Sequence, residues 1–129
     1  MAGLFSRIVS GKIPCYKVHE NEKFLAFLDL NPLRKGHTLV IPKTEVDYIF
    51  DLDDLTLAEM IVFAKEVSKK IKTAFPCRKI GMTVIGLEVP HAHIHLIPID
   101  AMKDMDFSGP KLKLEPVELA EISEKLLRL

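Results

Sequence analysis

Apolar positions along this chain alternate with period two in short runs and recur at helical spacing in longer ones. Tyr16-Lys17-Val18-His19-Glu20 alternates and predicts a strand, and Asn21-Glu22 supplies turn chemistry. Residues 24–30, nearly all apolar, read as a second, mostly buried strand that forms a hairpin with the first. The Pro, Asn and Gly content of residues 31–36 predicts a loop, followed by a β-branched third strand over 37–41 that Pro42 stops. Between Asp53 and Phe75, apolar residues recur at Leu57, Ile61, Ala64, Val67 or Ser68, Ile71 and Phe75, the spacing of a long helix. Asp53 and Asp54 suit its positive end, Lys69, Lys70 and Lys72 suit its negative end, and Pro76 terminates it. Residues 79–85 predict a fourth strand and residues 89–98 a fifth. Short helices are predicted at both ends, over 3–11 with Gly11 as the stop and over 117–127 with Pro116 in the first turn. The segment 100–110 is the least regular and is expected to be the most mobile. The pattern predicts one α+β domain over residues 1–129. Its sheet is five-stranded and mainly antiparallel, with one long central helix and shorter N- and C-terminal helices.

Composition narrows the function. Hydrophobic residues make up 48% and charged residues 28%, a globular rather than a disordered balance. Lys plus Arg equals Asp plus Glu at 18 each, so the chain lacks the basic footprint of a duplex-binding protein, and no nucleic acid is expected as a partner. Cys15 and Cys77 lie far apart and in no CxxC pattern, which favours free thiols in a reducing compartment. No run is apolar enough to predict a membrane span or a signal-like stretch, and the expectation is a soluble cytoplasmic protein.

Three of the five histidines fall at alternate positions, His91, His93 and His95, separated by Ala92 and Ile94 and followed by Leu96. On a strand all three imidazoles project from one face while the apolar residues pack on the other. A pair of them could chelate zinc. The outer two have Cα atoms roughly 13 Å apart on a strand, however, and zinc needs nitrogens near 2.1 Å from one point. No further ligand set is visible in the sequence, so neither a metal nor a cofactor is expected. One isolated histidine would read as a hydrogen-bonded structural residue, whereas three in strict alternation favour function over structure. A neutral imidazole is a nucleophile at pH 7, and a second beside it can donate to a phosphoryl oxygen. Nucleotidyl transfer demands little beyond such positioning and charge stabilisation.

His91-Ala92-His93-Ile94-His95-Leu96-Ile97 resembles the signature of the histidine triad (HIT) superfamily of nucleotide hydrolases and transferases, in particular its nucleotide-binding branch. Residues 5–14 resemble the family's N-terminal helix and turn. Residues 25–32 and 35–43 resemble its two central strands and their loop, and the blocks follow in family order over residues 5–99. The resemblance implies a HIT-like fold and a homodimer with a sheet continuous across the interface. It also implies a two-step reaction on a purine nucleotide substrate. His93 would attack the α-phosphate of a nucleoside 5′-phosphoramidate, a dinucleoside polyphosphate or a related compound. Water would then release a nucleoside monophosphate from the nucleotidyl-histidine. His91 would position the nucleophile, and His95 would contact the phosphate or help protonate the leaving group. His37 matches the family's separate fourth histidine, Asp29 its ribose-binding carboxylate, and Phe5, Ile8, Ile13 and Phe27 the apolar residues that sandwich the base.

Read without the resemblance, Asp29 simply sets up the turn before Leu30-Asn31-Pro32, the four apolar residues are core, and His37 is a surface residue at a strand start. Two positions also depart from the family pattern. Leu87 stands where a glutamine usually follows glycine, and Glu88 beside it either takes over a proton-transfer role or faces solvent. The family's phosphate-contacting asparagine has no clear counterpart, with Thr83 in the right region. These departures fall on the leaving-group side. They leave open a nucleotide-binding regulatory module with little turnover and, more remotely, a metal-dependent hydrolase.

Overall fold

A computed structural model describes residues 2–129. The strands are β1 (Lys17–Glu20), β2 (Phe24–Leu28), β3 (Thr38–Pro42), β4 (Lys79–Thr83) and β5 (Ile94–Ile99). The helices are α1 (Leu4–Val9), α2 (Asp54–Ala74) and α3 (Pro116–Leu127), with short 3-10 turns at Ile49–Asp51 and Met102–Met105. The sheet order is β1-β2-β3-β5-β4, and every neighbouring pair is antiparallel. The predicted α+β class, five-stranded antiparallel sheet and single long helix all hold.

β2 and β3 are apolar on both faces because both faces are covered. On one side Phe24, Ala26, Leu28, Val40, Ile94 and Leu96 pack with α2 and α3. On the other, Leu25, Phe27, Leu39 and Ile41 pack with Phe5, Ile8 and Val9 of α1. Asp53 caps α2 by accepting the Thr56 N–H at 2.7 Å. The buried stripe of α2 differs from the predicted one. Met60, Phe63, Ala64, Val67, Ile71 and Ala74 are buried, whereas Ile61 is exposed and Leu57 half-buried. Two adjacent stripes of this helix are apolar enough to fit the spacing, and the sheet decides between them.

The histidine run also departs from expectation. β5 begins only at Ile94, so His91 and His93 precede the strand. The cause lies on β3. With Val40 opposite Ile94, the next step of the ladder would place Pro42 opposite Ala92, and proline has no N–H to give. The Ala92 N–H bonds instead to the Val46 carbonyl at 2.6 Å, and the Pro42 carbonyl receives the His91 ring. The predicted sidedness survives. Ala92, Ile94 and Leu96 join the α2 core, while the His91 and His93 rings meet Phe5 on the opposite side.

Residues 100–110 hold more regular structure than the sequence suggests, with the 3-10 turn at Met102–Met105. The Asp104 carboxylate accepts the N–H groups of Asp100 and Ala101 at 2.8 and 2.9 Å and pairs with Arg34 at 2.7 Å. α1 has no local side-chain cap. Glu45, just beyond β3, stands in, accepting from the Gly3 N–H at 2.8 Å and the Ser6 hydroxyl at 2.7 Å. Gly11 ends the helical segment at φ +82°, as its placement predicts.

Candidate active site

The cavity lies on the face of the sheet away from α2 and has a volume of about 540 Å³, within the range of small-ligand sites. Phe5 and Ile8 of α1, with Ile13, form one wall, Phe27 and Leu39 the floor, and residues 85–89 the facing rim. Of the residues singled out from sequence, Phe5, Ile8, Ile13, Phe27, Asp29, Glu88, His93 and His95 all line it. Phe5 and Phe27 are also core, packed edge to face at 5.5 Å between centroids, so the two readings of these residues coincide. Asp29 likewise does both things: its Oδ1 accepts the Asn31 N–H at 2.8 Å, as a turn residue would, and it faces the cavity. Glu88 is exposed at the rim, beside an 88% exposed Leu87 that has no hydrogen-bonding group to offer. Thr83 pairs with His95 across the sheet but does not line the cavity.

Backbone groups assign a tautomer to each buried imidazole, because a carbonyl only accepts and an N–H only donates. His91 Nε2–H donates to the Pro42 carbonyl at 2.8 Å, turning the ring away from the cavity; its Nδ1 lone pair has no partner. His93 Nδ1–H donates to the His91 carbonyl at 2.7 Å, which leaves the Nε2 lone pair unengaged. The Leu33 N–H donates to His37 Nδ1 at 3.0 Å, so the His37 proton sits on Nε2. That Nε2–H donates to His95 Nδ1 at 3.0 Å, with Asp29 Oδ2 3.5 Å away. His95 therefore carries its proton on Nε2. The rings of His93 and His95 are 4.9 Å apart, so a lone pair and an N–H donor stand side by side.

Burial disfavours the charged form of His37, His95 and His91. Loss of hydration lowers His37 to a pKa of about 4, with Lys111 adding repulsion and Asp29 opposing it. Burial and the neighbouring imidazoles lower His95 to about 3, and burial also lowers His91. Below pH 6.5 the unfolded imidazoles take up protons that the folded ones refuse, so the stabilisation is full above pH 6.5 and is lost as the pH falls toward about 4. For His37 alone this is on the order of 3 kcal/mol. Urea midpoints are expected to fall steadily between pH 7 and pH 4.5, and His37→Gln to flatten that slope; equal slopes in both proteins would refute the assignment.

Sequence reasoning missed several participants. Phe107 sits edge-on to His95 at 4.9 Å and to His37 at 6.1 Å between centroids, and Lys111 also lines the cavity. Phe107 lies within the aperiodic segment 100–110 and Lys111 directly follows it, where only an aromatic residue among polar ones gave any signal. Asp29, His37 and His95 bring one ligand atom each within 4.8 Å of the others, a convergence that could accept a metal ion. In the present arrangement the two imidazole nitrogens satisfy one another.

The chain is similar to known proteins over most of its length. The HIT domain family model matches residues 10–102. An adenosine 5′-monophosphoramidase of Schizosaccharomyces pombe is 32% identical over 128 residues, covering 98% of this chain and 96% of the relative. A histidine triad nucleotide-binding protein of Sulfolobus tokodaii superposes with a TM-score of 0.81 at 30% identity, over 96% of this chain and 89% of the other. A zinc-bound histidine triad family protein of Mycobacterium smegmatis does so with a TM-score of 0.83 at 27% identity, over 99% and 92%.

Proposed function

Given that the chain belongs to the HIT family, whose members are nucleotide hydrolases and transferases, we propose that it cleaves a nucleoside 5′-phosphoramidate or related nucleotidyl compound through a nucleotidyl-histidine intermediate. The observation that carries this reading is the His93 ring, held by the His91 carbonyl with its Nε2 lone pair unengaged. His93 Nε2 attacks the α-phosphorus while the bond to the leaving group breaks, and an amine leaving group departs with a proton taken from the His95 Nε2–H or from water. Water then hydrolyses the phosphorus–nitrogen bond to His93, releasing a nucleoside monophosphate and regenerating the ring. His95 Nε2–H donates to a phosphoryl oxygen as charge develops there. Asp29 takes the ribose hydroxyls, and Phe5, Ile8, Ile13 and Phe27 hold a purine base. No step requires a metal.

The test is incubation with adenosine 5′-phosphoramidate in the presence of chelator, following AMP release and the mass of the intact protein. AMP release with a quenched adduct on His93 supports the reading, and activity restored only by a metal ion refutes it. The bare, exposed Leu87 favours a second reading, a nucleotide-binding module with little turnover. Saturable AMP binding without AMP release would select it.

The same reading includes a homodimer. β4 is an edge strand whose Met82 is 53% exposed, and Val84 and Ile85 beyond it are also exposed. Light scattering is expected to give twice the 14.6 kDa chain mass at micromolar concentration, and a monomer would remove the dimer from the proposal.

A further inference from the structure

Lys111 is the one lysine or arginine among the described residues that line the cavity, and the proposed reaction leaves it without a task. It stands at the histidine corner. Its Nζ donates to the carbonyls of Phe107 and Gly109, the latter at 3.2 Å, and Phe107 itself packs against His95 and His37. The ammonium is close enough to His37 to oppose its protonation. Two of its three N–H groups serve those carbonyls, and the third is free for a ligand.

The other polar side chains on the cavity wall are Asp29, Asn31, Glu88, Cys15, His93 and His95. Two are carboxylates, which repel phosphate. With His93 engaged as nucleophile, the histidine pair leaves one imidazole N–H for the α-phosphate. A substrate that carries further phosphates brings further negative charge to a wall that already holds Asp29 and Glu88, and only Lys111 can offset it. The opposite rim offers Leu87, which has no donor.

We propose that Lys111 is a specificity residue that holds the departing phosphate, so that this chain accepts nucleotidyl compounds whose leaving group is a phosphate or polyphosphate. The inference rests on the nucleotidyl-transfer reading and extends it. In that reaction His93 Nε2 forms a bond to the α-phosphorus while the bridging P–O bond breaks. The electron pair stays on the bridging oxygen, and the product departs as an oxyanion that needs no proton. Lys111 offsets the charge on that oxyanion. An amine leaving group departs neutral once it has acquired a proton, so it presents no anion for the ammonium to hold.

The experiment compares AMP with ADP, whose β-phosphate occupies the leaving-group position. Both are titrated by calorimetry into the full chain, into Lys111→Gln and into Lys111→Arg. A parallel assay takes the ratio of kcat/KM on diadenosine tetraphosphate to that on adenosine 5′-phosphoramidate. Wild-type protein is expected to prefer ADP. In Lys111→Gln both the ADP-to-AMP affinity ratio and the kcat/KM ratio are expected to fall about tenfold, the range of one charge-assisted hydrogen bond. Lys111→Arg, which keeps the charge, is expected to restore both. Equal losses on both members of each pair would make Lys111 a brace for residues 107–109 and overturn the proposal, as would unchanged ratios. Failure of wild-type protein to bind either nucleotide would instead overturn the nucleotidyl-transfer reading beneath it.

Discussion

Alanine in place of His93 is expected to lower the rate of AMP release from adenosine 5′-phosphoramidate by about 10⁴-fold or more, the scale on which removal of a covalent nucleophile acts. The protein adduct should vanish with it. Affinity for AMP should change by less than about threefold, because the proposed base, ribose and phosphate contacts fall to Phe5, Phe27, Asp29 and His95 rather than to the nucleophile. This split between chemistry and binding distinguishes loss of the attacking nitrogen from collapse of the cavity. The distinction matters because the Phe5 ring rests edge-on against His93 at 5.2 Å between centroids and loses a neighbour in the variant. A thermal midpoint measured alongside the kinetics separates the two causes. Full hydrolysis by His93→Ala would exclude the covalent mechanism outright.

Gly36→Ala is expected to be the most damaging single methyl group that can be added near the site. Gly36 has φ +95°, a region where a Cβ is strained, and it lies buried at the turn that delivers His37. A Cβ there would meet Phe75 Cδ2 at 2.8 Å and Pro98 Cγ at 3.3 Å. Phe75 is packed against the α2 core and Pro98 is held within β5, so neither yields cheaply. Backbone strain of about 1–2 kcal/mol and overpacking of about 1–3 kcal/mol combine to roughly 3 kcal/mol. That is a large fraction of the stability of an ordinary domain, and it should lower the thermal midpoint by roughly 10 °C. A change of less than about 0.5 kcal/mol in urea unfolding would show that the turn relaxes freely.

Much of this molecule could be read from residue spacing, and the exceptions have a common origin. Residue spacing, apolar runs and stop signals located the five strands and three helices of the described residues, because each buries surface whose composition is written locally. The onset of β5 is different. It is set by Pro42, which lies far from the histidines in sequence and meets them only across the ladder. The choice of stripe on α2 is likewise a tertiary matter, settled by which side the sheet occupies. In the site, resemblance to the family singled out eight residues that line the cavity. His37, a ninth, connects through His95, and His91 faces away to hold the Pro42 carbonyl. Lys111 and Phe107 were not legible because nothing periodic surrounds them. The Leu33 N–H could not have been read at all, since a main-chain donor leaves no mark on a sequence.

That donor has a consequence for how the site tolerates mutation. The direction in which the His37–His95 pair orients its hydrogen bonds, outward toward the cavity, originates in the peptide group of Leu33. Side chains at position 33 can drift without reversing it, because every residue but proline supplies the same N–H. The polarity of the imidazole pair is thus inherited from the fold of a loop rather than from any one side chain. It persists for as long as that loop keeps its shape.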